Sequence, residues 1–227
     1  MDITEQVSSI GTLADDTRRA LYEHVAAQPE PVSRDSAANA VGIAPHMARF
    51  HLDKLVEAGL LETEFRRLTG RSGPGAGRPS KLYRRVSQTI SVSLPERRYD
   101  LVGHLLAGAI ERAAGGTGLD EAVAQVAHDE GRTIAASAPP ADNPDDLTRV
   151  AGVLAAQGFE PREEDDALTL ANCPFDSLAR EHTELVCSAN LALIGGILEG
   201  MDCPHLRASG EPHADQCCVA IRRSPLR

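Results

Sequence analysis

The feature that most constrains this chain is a basic run framed by two alternating segments. "LLETEFRRL" and "SKLYRRV" alternate apolar and polar residues, as half-buried strands do. Between and across their ends runs "RRLTGRSGPGAGRPSKLYRR", Arg66 to Arg85, with six arginines, one lysine and no acidic residue. Gly70, Gly73, Gly75 and Gly77 suit a hairpin tip that turns sharply and approaches another backbone closely. A solvated linker would also be polar, but a linker does not require alternating strands on both sides.

What precedes the run narrows the choice further. In "TLADDTRRALYEHVAAQ", Leu13, Ala20, Leu21, Val25 and Ala26 fall at helical intervals, and Pro29 and Pro31 end the pattern. Ser33 reads as the N-cap of a short helix, "RDSAANAVG", which Gly42 breaks. A second helix begins near Ala44 with Pro45 in its first turn and stops at Gly59. Two short helices joined by a tight turn make a helix-turn-helix. Followed by strand, basic loop and strand, this is the layout of a winged helix.

On a helical wheel the second helix turns Ala48, Leu52, Leu55 and Val56 inward and His46, Met47, Arg49, Phe50 and Lys54 outward. Basic donors mixed with apolar groups suit a major groove, where Arg pairs with guanine and apolar groups meet the thymine methyl. A merely solvated face, with Phe50 partly covered, is the plainer alternative. In the wing, Arg66, Arg67, Arg71, Arg78 and Lys81 would neutralise phosphates and release counterions. They are expected to lack acidic partners.

Charge divides the chain. The whole carries −10 over 227 residues; residues 1–95 carry +1 and residues 96–227 carry −11. Such asymmetry reads as two regions with different partners. The expected organisation is a winged helix over 1–90, connecting or dimerising helices over 91–140, and an α+β cysteine-containing sensor over 141–227. The expected fold class is α+β, mainly helical. Helices are expected from Pro95, over 118–137 and over 145–159, then two short strands in "EPREEDDALTLANC". No apolar run reaches the roughly 18 to 20 residues of a membrane helix. "MDITEQVSSIGTLADDTRR" lacks the pattern of a secretory signal, so a cytoplasmic protein with reduced cysteines is expected. No phosphate-binding fingerprint, Cys–His pair, paired carboxylates or nucleophile motif argues for an enzyme.

All five cysteines, Cys173, Cys187, Cys203, Cys217 and Cys218, fall in the last 55 residues. They admit several readings. Buried cysteines can be inert packing. Zinc sites usually show two cysteines two to four residues apart, a knuckle absent here. An iron–sulfur cluster requires only that folding bring thiolates together, and a cluster-free thiol sensor requires less. If Cys217 and Cys218 enter a strand, Cys217 shares the inward face with Val219 and Ile221 and is the better ligand. Cys203 is then a candidate fourth ligand, with His205 and His213 nearby as substitutes.

"LADDTRRALYEHV", "FHLDKLVEAGLLE" and "GRPSKLYRR" resemble the winged-helix domain of ArsR-type bacterial regulators, in particular the iron–sulfur-biogenesis repressors of the SufR type. The resemblance covers about the first 90 residues. It implies a homodimeric repressor on a palindromic DNA operator. The late cysteines and the "NCPF" start also resemble that branch, which implies cluster ligands at Cys173, Cys187 and one of Cys217 and Cys218. "APHMARF" departs from the family pattern at Met47 and Ala48, so the resemblance implies no operator sequence.

Overall fold

The structure is a computed structural model that describes residues 3–67, 79–139, 145–164, 166–210 and 217–224. The chain forms two compact units, Met1–Val92 and Ser93–Arg227. The intermediate segment expected over 91–140 does not stand apart: its helices share one core with the remainder of the second unit.

The first unit opens with α1 (Ile3–Thr12), which the sequence pattern did not announce, and α2 (Asp16–Ala26). The Asp15 side chain accepts from Arg18 N and starts α2. A two-residue strand β1 (Val32–Ser33) leads into α3 (Arg34–Val41), where the Ser33 hydroxyl accepts from Ser36 N. Gly42 ends α3 in the left-handed region, φ 74°. Next come α4 (Pro45–Glu57), β2 (Leu61–Arg66) and β3 (Ser80–Arg85). The sheet order is β1-β3-β2, all antiparallel, with Leu61 opposite Arg85 and Arg66 opposite Ser80. Leu21, Val25, Ala37, Ala48, Leu52, Leu55 and Tyr83 fill the core between the helices and this sheet.

The second unit contains α5 (Tyr99–Ala114), α6 (Leu119–Ser137), α7 (Asp146–Ala156), β4 (Pro161–Glu164), β5 (Ala167–Leu170), α8 (Asp176–Glu181), α9 (Thr183–Gly200), β6 (Leu206–Gly210) and β7 (Val219–Arg223). The helix expected to open at Pro95 starts four residues later. Its N-terminal flank is engaged elsewhere: Arg98 N donates to Pro174 O at 3.0 Å, and Arg97 reaches Asn172 Oδ1 at 2.6 Å. The four strands form an antiparallel sheet, β4-β5-β7-β6.

Helices α6 and α9 meet backbone to backbone. A Cβ at Gly131 would lie 2.1 Å from Leu193 O, and one at Gly196 would lie 2.0 Å from His128 O. Only glycine allows this approach. The contact helps bury α9, which runs from Thr183 to Gly200. Cys187 sits inside α9, one turn from its start. Among the described residues, no helix is long and apolar enough to cross a membrane.

Candidate nucleic-acid interface and thiol site

Helix α4 presents the face that its periodicity implies. Ala48, Leu52 and Leu55 are fully buried and Val56 half-buried. His46, Met47, Arg49, Phe50 and Lys54 are all exposed, Phe50 to 55%. Phe50 is thus a surface residue and not a partly covered core one. Lys54 Nζ lies 2.7 Å from Glu57 Oε2, one turn on.

Two of the wing cations, Arg66 and Lys81, do have acidic partners, contrary to expectation. Arg66 lies 3.3 Å from Glu30 and 3.5 Å from Glu64. Lys81 Nζ lies 2.7 Å from Asp53 Oδ1, and Arg84 Nε lies 2.8 Å from Glu62. The reason is topological. The run is free of acid along the sequence, but strand pairing and packing bring carboxylates in from β2, from α4 and from the segment before β1. Arg67 is exposed, while Arg71 and Arg78 lie outside the described residues. Exposed pairs of this kind contribute about 0–1 kcal/mol each, so phosphates can compete for the cations.

Asp53 was not singled out from the sequence, yet it is the hub of this surface. Its Oδ1 accepts from Lys81 Nζ at 2.7 Å and from the Tyr83 hydroxyl at 3.1 Å. Its Oδ2 faces Arg49 Nε at 3.7 Å. Burial pushes the carboxyl up, but the Lys81 and Tyr83 hydrogen bonds and the charges of Lys81 and Arg49 outweigh it and hold Asp53 below the ordinary range. Burial, then the neighbouring Asp53 charge, pushes the Tyr83 hydroxyl up to about 12.

In the second unit, four of the five cysteines meet. Cys217 is the hydrogen-bond partner of both Cys173 and Cys218, and Cys187 is a second partner of Cys218. The proton sharing is uneven. The Cys217 bond holds the Cys173 thiol below its ordinary value against the opposing effect of burial. The same partner, helped by Cys187, lowers Cys218 to about 6. Burial first, then Cys218, raises Cys187 to about 12, and the bonds to Cys173 and Cys218 push Cys217 up. Within the group, Cys173 and Cys218 are therefore shifted toward the thiolate and Cys187 and Cys217 toward the thiol.

Three elements bring these thiols together. Cys173 follows β5 in a loop pinned by Asn172, whose Nδ2 donates to Gly158 O at 2.6 Å and whose Oδ1 accepts from Arg97. Cys187 comes from α9. Cys217 and Cys218 directly precede β7, with Cys217 N donating to Leu170 O at 2.9 Å. Asn190, 1% exposed and three residues after Cys187 on α9, donates from Nδ2 to Cys217 Sγ at 3.2 Å. Its Oδ1 is buried with no partner among the described residues.

Two sequence expectations change. Cys218 belongs to the thiol site although strand alternation argued against it; β7 begins only at Val219, so the pleat rule does not reach back to separate the pair. Cys203 does not join them. It is buried, its thiol raised by burial and by the nearby Asp146 charge, with Sγ 3.6 Å from Met201 O. His205 is engaged by Asp146 at 3.1 Å, and His213 lies outside the described residues.

Thiolates are the ligands of iron–sulfur clusters, and the donor set here is four cysteines with an amide N–H on one sulfur. The thiols touch in series, and among the described residues no three or more His, Cys, Asp or Glu side chains converge closely enough to hold an ion.

Residues 13–64 match the helix-turn-helix domain family, which spans α2 to β2. The first unit therefore carries a helix-turn-helix domain of the kind found in ArsR- and MarR-like regulators, a class that binds DNA to control transcription. No curated protein and no solved structure matches the chain.

Proposed function

We propose that the chain is a sequence-specific transcriptional repressor that binds a palindromic DNA operator as a homodimer and senses redox or iron–sulfur status through the thiol site of its second unit. The observation that carries the DNA reading is the outer face of α4, where His46, Met47, Arg49, Phe50 and Lys54 stand exposed on the helix that a helix-turn-helix turns to the major groove. The wing cations would fix register on phosphates. The homodimer is supported by α1, whose Ile3, Val7 and Ile10 form an exposed apolar stripe suited to a second copy. The test is selection of duplexes from a random-sequence pool. Enrichment of an inverted repeat supports the reading, and failure to enrich any sequence rejects it.

For the sensor, Cys173, Cys187, Cys217 and Cys218 would hold an iron–sulfur cluster, in place of the set with Cys203. Such a cluster supplies a group whose presence depends on iron supply and oxidant. Cys173 and Cys218 are the readiest ligands because thiolates, not thiols, bind metals. The Asn190 N–H would withdraw charge from the Cys217 sulfur, an interaction that tunes cluster potential. Arg97 and Asn172 keep the Cys173 loop in place.

One observation favours a second reading, a bare thiol switch. The thiols touch pairwise, and a low-lying Cys218 beside Cys187 is set up for disulfide formation. There the Cys218 sulfur would attack a peroxide oxygen, breaking the O–O bond and releasing one water; the Cys187 sulfur would then displace the second oxygen as water, so that two thiols and one hydrogen peroxide give one disulfide and two waters. Anaerobic reconstitution with iron and sulfide separates the readings. Brown protein with stoichiometric iron and sulfide supports the cluster; colourless protein with one tight zinc per chain supports zinc; colourless metal-free protein that loses two thiols to peroxide supports the switch.

A further inference from the structure

The sequence offers Arg49 and Lys81 as two separate DNA contacts. The structure ties them to one carboxylate. Asp53 lies one turn beyond Arg49 on α4, while Lys81 and Tyr83 lie on β3, 28 and 30 residues further along the chain. The arrangement lines a polar cavity of about 340 Å³ with Ser33, Arg34, Ser80 and the hub residues themselves. A carboxylate at a surface meant for phosphates is costly for non-specific attraction, so its place there needs a reason.

The geometry of the two oxygens supplies one. Oδ1 is taken by Lys81 and Tyr83. Among the described residues, Oδ2 faces the Nε edge of Arg49 at 3.7 Å, and the Arg49 side chain is 70% exposed. The terminal nitrogens of Arg49 make no hydrogen bond among the described residues, so the donors that read guanine O6 and N7 as a fork are left free. A guanidinium braced on one edge loses fewer rotamers when it docks. Lys81, by contrast, is held in a close, charge-assisted hydrogen bond, and its ammonium lies 5.1 Å from the Tyr83 ring centroid.

We propose that Asp53 is a specificity-determining positioning residue: it braces Arg49 for base readout and withholds Lys81 from indiscriminate phosphate contact. The inference rests on the DNA-binding reading above. Asp53 acts through Arg49 and Lys81 and need not touch DNA itself. It raises discrimination by lowering binding to random duplex and by presenting a preformed fork to the right base.

The experiment uses the full chain, the duplex it enriches from a random pool, and a scrambled duplex. Asp53→Asn keeps the shape and an acceptor for Lys81 and Tyr83 but removes the charge. It should lower the ratio of enriched to scrambled affinity about tenfold. It should also steepen the salt dependence on scrambled duplex by about 1, as one further cation engages phosphate. Asp53→Glu keeps the charge but displaces it. The slope should then stay at the wild-type value while the ratio falls. In an Arg49→Ala background, Asp53→Asn should still steepen the slope on scrambled duplex but lower the ratio by less than it does in the wild type.

Equal loss on both duplexes with an unchanged ratio would mean that Asp53 merely knits helix to sheet, and would overturn the proposal. If Asp53→Asn does not fold, Asp53→Glu decides alone: a wild-type ratio overturns it. Wild-type chain that enriches no duplex fails the DNA-binding reading instead, so the two failures are distinguishable.

Discussion

The two units handle polar chemistry in opposite ways. The first displays its candidate contacts: Met47, Arg49, Phe50 and Lys54 are exposed, and cations such as Lys54 and Arg66 are paired with exposed carboxylates that a phosphate can replace. The second covers its functional groups: Cys217 is 3% exposed and Asn190 1%, within a core that runs from α5 to β7. An exposed site costs little to assemble and is tuned by charge. A covered site depends on the packing that closes over it, so its chemistry and its stability are the same problem.

The largest expected effect tests that dependence. Gly131→Ala would drive a methyl group into Leu193 O, 2.1 Å away, at the contact of α6 with α9. Overpacking of this kind costs about 1–3 kcal/mol and occasionally more; against rigid backbone the upper end or beyond is expected. Because α9 carries Cys187 and Asn190, thiol reactivity should change with it. Melting of the chain followed by calorimetry should show the transition of the second unit lowered by several degrees and that of the first unchanged. A single transition lowered as a whole would break the separation of the units.

Arg49→Ala comes next, and it tests the exposed site. Loss of a bidentate guanine contact should cost on the order of 1–3 kcal/mol on the preferred duplex and far less on a scrambled one. Titrations of both duplexes at one salt concentration measure it. Equal losses would reduce Arg49 to a phosphate contact.

The same contrast explains what could be read from the sequence. Ser33, Gly42, Pro45 and Gly59 are local signals, and each does what its type requires: a cap, a left-handed stop, a first-turn proline and a second stop at φ 68°. The outer face of α4 followed from helical period alone, because exposure on one helix is a local property. Helix α1 was missed because its pattern is inverted. Buried Ser9 bonds inward to Ala58 O at 2.8 Å, while Ile3, Val7 and Ile10 point outward. Asp53 was passed over because its partners on β3 are remote in the chain. The thiol site was legible as a set of cysteines but not as a constellation. Its members come from a loop, a helix and a strand entry, and no spacing rule distinguishes Cys218 from Cys203.

A third test addresses the covered site directly. A thiol lowered to about 6 is largely thiolate at neutral pH, unlike an ordinary thiol with its value near 9.0. The reactive form is lost as pH falls through about 6 and gained above it. Lower basicity also lowers nucleophilicity, so the net gain in alkylation rate at pH 7 should be about tenfold over an ordinary half-buried cysteine. Peptide mapping of metal-free protein after brief iodoacetamide treatment should find Cys218 modified ahead of Cys187 and Cys203, with a rate that inflects near pH 6. Cys217→Ala, which removes the donor, should move the inflection upward, because the Cys217 hydrogen bond is the main cause of the lowered value. An inflection above pH 8 in the wild-type chain would show that the thiols do not share protons as described.

The smallest effect lies at the edge of the exposed site, between neighbours. Arg66 and Arg67 are adjacent and both exposed, but Arg66 is tied to Glu30 and Glu64 at 3.3 and 3.5 Å. Forming a phosphate contact from Arg66 means giving up those two pairs, each worth about 0–1 kcal/mol. Counterion release counts net charge brought to the duplex, so a cation that leaves two carboxylates behind contributes less than a full contact. Arg67→Ala should therefore reduce the salt slope by close to 0.9, and Arg66→Ala by measurably less. Glu30→Gln should act in the opposite direction and steepen the slope while leaving the ratio of preferred to scrambled affinity unchanged, since no base contact depends on it. If Arg66→Ala and Arg67→Ala shift the slope equally, the carboxylates yield at no cost, and the wing behaves as the unpaired basic run that its sequence suggested. A difference between them would mean that even on the displayed site, partners brought in by the fold set what each charge can do.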